Sequence, residues 1–152
     1  MGSIAVTGPR TGMTSPQVSG VTKLLHSVPQ LYRTLREGGC IGAEHIIVEI
    51  ARDFRFRIVE HPPVKKDHRA WATVDEWLPP LPYLDRNRVM VDTCSALLAT
   101  PGEKRSRGTW YTIDYAAKVE KATALIWPDG RIELRPYGPI GEAVFTRLGW
   151  VA

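Results

Sequence analysis

Short apolar runs alternate with longer segments of helical period along this chain. Ile4-Ala5-Val6-Thr7-Gly8 is a compact apolar run that ends at glycine, and it predicts a buried strand. After a polar loop with Arg10 and Gly12, the spacing of Val18, Val21, Leu24, Leu25 and Val28 predicts an amphipathic helix. Ser15 is placed as its N-cap, Pro16 is at its first position, and Pro29 stops it. A second short strand is expected over Tyr32 to Arg36. Ala43, Ile46, Ile47, Ile50, Ala51 and Phe54 then fall at offsets 3, 4, 7, 8 and 11, the clearest helical face in the chain. Phe56 to Glu60 reads as a strand. Tyr83 to Cys94 reads as a helix, Ala96 to Thr100 as an apolar strand, and Thr109 to Glu120 as a helix capped by Thr109. Ala122 to Ile126, the turn Pro128-Asp129-Gly130 and Arg131 to Arg135 suggest a terminal hairpin.

Strands alternating with helices imply an α/β fold, a Rossmann-like three-layer sandwich around a mostly parallel sheet. Two stretches break the alternation. Residues 61–82 are rich in proline and hold Trp71 and Trp77, with a short helix expected over Ala72 to Leu78. A segment this long in a compact domain is expected to be functional. Residues 137–152 form a tail whose Tyr137, Phe145, Leu148, Trp150 and Val151 are expected to cover the core.

Length fits one domain over residues 1–152, and the 43% hydrophobic and 24% charged composition is that of a globular chain. No apolar run is long enough to span a membrane. The opening residues lack a basic region and a cleavage site, so a cytoplasmic location is expected. Cys40 and Cys94 show no metal-ligand or redox spacing. No metal and no cofactor are implied. The net charge of +4 suits polyanions and small phosphorylated ligands alike, so charge alone selects neither.

In a parallel sheet, ligands bind beyond the carboxyl ends of the strands, and three loops there carry candidate chemistry. The first is Thr7-Gly8-Pro9-Arg10-Thr11-Gly12, where glycine permits close backbone approach and Arg10 offers a bidentate fork. It matches neither the P-loop nor the dinucleotide fingerprint. The second is Gly38-Gly39-Cys40-Ile41-Gly42-Ala43-Glu44, three glycines opening onto a helix N-terminus suited to an anion. Glu44 is either a catalytic carboxylate or a complement to the helix dipole. Cys40 has no histidine placed to activate it and reads as a packed residue, while His45 reads as a surface residue. The third set joins Asp85-Arg86-Asn87-Arg88 to Pro101-Gly102 and Arg107-Gly108-Thr109. Asp85 and Arg88 share a helix face, which fits a surface ion pair as well as a site, and Arg86 points elsewhere.

Together these loops resemble the SLOG superfamily of Rossmann-like nucleotide-binding proteins. That group includes the LOG phosphoribohydrolases and the nucleotide-binding domain of DprA, and the small YspA-like branch is the nearest in pattern. The likeness rests on Val6-Thr7-Gly8-Pro9-Arg10, Gly38 to Glu44, Arg86-Asn87-Arg88-Val89-Met90, and Pro101-Gly102 with Arg107-Gly108-Thr109, and it covers about Ile4 to Ile126. It implies a bound nucleotide or nucleotide-derived small molecule. Arg10 and the backbone of Gly39, Gly42, Gly102, Gly108 and Thr109 would bind the phosphate, with Thr7, Gly8, Gly38, Glu44, Pro101 and Arg107 as further ligand-binding residues. Arg86, Asn87 and Arg88 would reach the ribose or a second phosphate, and Trp71 or Trp77 would stack on the base.

The chain also departs from the pattern. Glu44 replaces the usual aspartate, and Glu103-Lys104-Arg105-Ser106 lengthens the third loop. Thr112 stands where the LOG enzymes carry their catalytic glutamate. The resemblance therefore implies first a sensor or ligand-sequestering protein. The alternative is a phosphoribohydrolase acting on nucleoside monophosphates, with Glu44 and Asp85 as its acids and Glu103 as a further available carboxylate. Single-stranded nucleic-acid binding of the DprA type is the third reading. A homo-oligomer is expected, with no membrane partner.

Overall fold

The computed structural model describes residues 2–151, with seven strands and five α-helices among them. The strands are β1 (Ile4–Thr7), β2 (Thr34–Glu37), β3 (Arg57–Glu60), β4 (Glu76–Trp77), β5 (Ala96–Ala99), β6 (Thr123–Ile126) and β7 (Ile132–Arg135). They form one sheet in the order β4-β3-β2-β1-β5-β6-β7. Every neighbouring pair is parallel except β6 with β7, the hairpin expected from Pro128-Asp129-Gly130. The helices are α1 (Ser15–Ser27), α2 (Ala43–Asp53), α3 (Tyr83–Thr93), α4 (Arg107–Lys118) and α5 (Pro139–Leu148).

Side-chain alternation along the strands builds a core on each face of the sheet. On one face Val6, Leu35, Ile58, Leu98 and Ile126 meet Val21, Leu24 and Leu25 of α1, Ile47 and Val48 of α2, and Phe145 and Leu148 of α5. On the other, Ala5 and Leu97 meet Met90 and Val91 of α3 and Ala116 of α4, while Ala99 and Leu125 meet Ile113. The result is the expected three-layer α/β sandwich with a mostly parallel sheet. No described helix is long and apolar enough to cross a membrane.

Local details correct the sequence reading in four places. Thr14, not Ser15, caps α1. Its hydroxyl accepts the Gln17 amide and its own amide donates to the Gln17 side chain, a reciprocal capping box. The α4 helix starts earlier than expected, with Ser106 as its N-cap and Thr109 inside the first turn. Residues 72–78 are not helical. Glu76 and Trp77 pair with Val59 and Glu60 as a parallel edge strand, held by the Asp75 carboxylate accepting from the Ile58 amide. The tail splits in its role: Phe145, Leu148 and Trp150 are buried, whereas Val151 is exposed. Trp150 donates its indole N–H to the Leu24 carbonyl at 3.0 Å and stacks on Phe145, so α5 closes over the C-terminal half of α1.

Candidate functional site

Strand order reverses direction at β1, with β2 on one side and β5 on the other. The loops after these strands therefore diverge around a crevice at their carboxyl ends. Close backbone approach draws the loops together there. A side chain at Gly8 would collide with Thr100 Oγ1 and Ala43 Cβ, and one at Gly42 would collide with the Arg10 carbonyl. Gly42 also has φ of 86°, a conformation that glycine adopts without strain. The Ala43 amide donates to the Pro9 carbonyl at 3.1 Å and stitches the first loop to the start of α2.

Beyond this joint lies a cavity of about 700 Å³. Gly8 and Arg10 enter it from the first loop, Cys40 and Glu44 from the second, and Tyr83 and Asp85 from the start of α3. Ser106, Arg107 and Gly108 come from the start of α4, and Pro63, Lys65, Asp67 and His68 from the proline-rich segment. Three exposed cations, Arg10, Lys65 and Arg107, face this space without a side-chain partner among the described residues. The first-turn amides of α4 are likewise open: Ser106 makes no side-chain cap to them, and the first backbone bond belongs to Trp110. An uncapped helix N-terminus beside Arg107 offers anion-binding donors.

The three-glycine loop is arranged differently. The Gly38 amide donates to Glu44 at 2.8 Å, Gly39 to Glu37, and Ile41 to the His68 carbonyl at 2.8 Å. Its amides therefore hold the chain's own carboxylates and the proline-rich segment. Behind it, Glu37 and Glu60 end adjacent parallel strands in register, both buried. Burial, reinforced by the nearby Glu44 and Glu60 charges, pushes the Glu37 carboxyl well above the usual carboxylate range. Glu37 Oε1 and Glu60 Oε1 are both buried without a hydrogen-bond partner, and a proton on Glu37 would serve them. Arg69 donates to the other Glu60 oxygen at 2.5 Å while its guanidinium lies 3.9 Å from the Trp71 ring centre and 5.2 Å from that of Trp77. This buried ion pair clamps the proline-rich segment to the sheet edge, and neither tryptophan lines the cavity.

Glu44 is raised chiefly by burial, opposed by the Arg86 charge. Burial pushes the Cys40 thiol to about 12, so it is a protonated packing group. The Tyr83 phenol, also raised by burial, sits against Gly108. Arg86 is buried. It donates to the Gly38 carbonyl and, at 2.9 Å, to the His61 carbonyl, with the Tyr83 ring beside it. His61 is lowered to about 4 by burial and by Arg36, so its neutral Nε2 accepts from Arg36 at 3.1 Å.

Of the residues singled out from sequence, Gly8, Arg10, Glu44, Asp85, Arg107 and Gly108 line the cavity together. Thr7, Gly38, Gly39, Gly42, Asn87, Pro101, Gly102 and Thr109 are not among its lining residues, and neither is Arg86, which donates to the Gly38 and His61 carbonyls. Arg88 pairs with Asp85 across one turn of α3, facing solvent. Thr112 is tied by its hydroxyl to the Gly108 carbonyl at 3.0 Å. Sequence reasoning missed Glu37, Glu60, Arg69, Lys65 and Tyr83. The available signal was a glutamate closing each of two short strands.

No family model matches the sequence, and no curated protein aligns with it. Solved structures share its fold. A molybdenum cofactor binding protein from Rippkaea orientalis superposes with a TM-score of 0.66 at 19% identity, over 97% of this chain and 83% of that one. The molybdenum cofactor carrier protein from Chlamydomonas reinhardtii gives 0.64 at 20% identity, over 97% and 85%. DNA processing protein A from Helicobacter pylori, described with a single-stranded DNA binding mode, gives 0.59 at 16% identity, over 97% and 73%. The fold implied by the resemblance of the loops to the SLOG superfamily is thus the fold of the molecule.

Proposed function

We propose that the protein binds a nucleotide or a nucleotide-derived small molecule in this cavity and holds it as a sensor or sequestering protein. The observation that carries the reading is the convergence of Arg10, Lys65 and Arg107 with the open N-terminus of α4 on one cavity. Such a set neutralises one or two phosphates, and the 700 Å³ of space accommodates the attached sugar and base. Two proteins of the same fold are named for a bound molybdenum cofactor, which supports a small-molecule cargo as the class.

Denaturing extraction of the purified protein followed by mass spectrometry tests this, together with thermal shift against nucleotides and the molybdenum cofactor. A retained compound that also raises the melting temperature is the expected result. Arg10→Ala and Arg107→Ala should each weaken its binding by about tenfold or more, the scale of one charge-assisted phosphate contact. No ligand from either experiment overturns the reading.

One feature favours a second reading, cleavage of the N-glycosidic bond of a nucleoside monophosphate. Glu44 is a cavity carboxyl raised by burial, the state required of a general acid, and Asp85 is a second carboxylate among the lining residues. Free base and ribose phosphate appearing from a monophosphate, and disappearing with Glu44→Gln, would establish it.

A further inference from the structure

The lengthened third loop has a structural consequence outside the cavity. It carries Arg105 over the Trp110 ring, 4.4 Å from its centre, with Asp114 3.6 Å away on the next turns of α4. Between them runs an open cleft of about 370 Å³ lined by Arg105, Arg107, Trp110, Tyr111 and Asp114. Arg107 lines both this cleft and the main cavity, so the two adjoin at that residue. Trp110 is fixed from behind by Trp127, whose ring centre lies 6.1 Å away, and by the core residues Ala99, Ile113 and Leu125. The exposed Arg105 side chain lies over the ring on the cleft side.

An indole backed by the core and faced by an exposed guanidinium is a stacking slot for a planar heteroaromatic ring. The cation at the junction suits a phosphate link between two rings. From this we infer that the ligand is a dinucleotide, two nucleosides joined through phosphate. One nucleoside occupies the cavity, Arg107 holds the linking phosphates, and the second base stacks on Trp110 under Arg105. The inference rests on the cavity being a nucleotide site, as proposed above. Asp114 also lines the cleft, and its negative charge disfavours the further phosphates of a continuing strand there.

The test is calorimetric titration of the full chain with AMP, GMP, CMP and UMP and with the four matching dinucleotides linked by 5′,5′-pyrophosphate. At least one dinucleotide should bind about tenfold tighter than its monophosphate, the gain supplied by one base stacked on an aromatic ring. Trp110→Ala should abolish that gain and leave monophosphate affinity unchanged. Arg105→Ala, an exposed substitution that spares the core, should reduce the gain severalfold. Equal affinity for both ligand classes, or Trp110→Ala weakening both alike, overturns the dinucleotide and leaves the nucleotide cavity standing. Binding of neither class overturns both. Affinity that keeps rising with oligonucleotide length, with a steep loss in salt, replaces the dinucleotide with a nucleic-acid strand.

Discussion

Glu37 shows how one titrating side chain links this site to the stability of the fold. The folded protein holds a proton on Glu37 more tightly than the unfolded chain does, because burial and the Glu44 and Glu60 charges disfavour its ionised form. The unfolded chain releases that proton in the ordinary carboxylate range. Below that range both states are protonated and the stabilisation is complete; it is lost as pH rises toward the raised value. His61 acts in the opposite direction, since its lowered value of about 4 makes stability fall as pH drops from about 6.5. Comparing wild type with Glu37→Gln cancels the His61 contribution. The glutamine amide donates toward Glu60 as the protonated acid does, and its carbonyl accepts from Gly39. The variant should match wild type near pH 4 and become progressively more stable as pH rises. The gap should widen by about 1.4 kcal/mol for each pH unit within the window. Urea melts at several pH values measure it, and parallel curves would show that Glu37 is ionised in the native state.

At the scale of elements, the joint between the first loop and α2 decides whether the site exists. Gly42→Ala places a side chain against the Arg10 backbone in a left-handed conformation, so the loop must shift or α2 must lose its first turn. The cost should be roughly 2 kcal/mol or more, accompanied by loss of ligand binding, because Arg10 moves with that loop. A melt and a titration on the same sample check both effects, and a wild-type melting temperature would show that the joint tolerates the methyl group. The helices were readable from periodicity because each has one core-facing side, as with Ile47, Val48 and Ala51 on α2, and the central strands from short apolar runs because both faces of the sheet are covered. The β4 strand was not readable. Glu76 and Trp77 are both exposed, and what holds them is pairing with β3 together with distant contacts from Asp75 and Arg69. The site divides the same way. Arg10 and Arg107 stand in recognisable glycine loops. The use of the Gly38 and Gly39 amides by Glu44 and Glu37 depends on strand register and a buried proton, and no local spacing reveals those.

For the whole molecule, the open question is whether a net charge of +4 acts through one pocket or over a broad surface. Much of the basic charge is already paired or engaged. Arg57 pairs with Glu76, Arg69 with Glu60, Arg88 with Asp85, and Arg131 and Arg135 both with Glu133, while Arg33 and Arg86 are spent on carbonyls. Lys23, Arg55, Lys104, Lys118 and Arg147 lie away from the cavity, and the three cations that line it, Arg10, Lys65 and Arg107, match a ligand of few phosphates. Binding should therefore release few counterions. Between about 50 and 200 mM salt, affinity for a ligand that contacts two cations should fall less than about tenfold, whereas a footprint of six to ten phosphates loses about 10³- to 10⁵-fold. Titrating the retained ligand and a single-stranded oligonucleotide across that range separates the two cases. A shallow slope for the ligand with weak, steeply salt-dependent oligonucleotide binding places the functional charge in the pocket. A steep slope for tight oligonucleotide binding would mean that the paired arginines open to receive a strand, and the cavity would then be only one station along it.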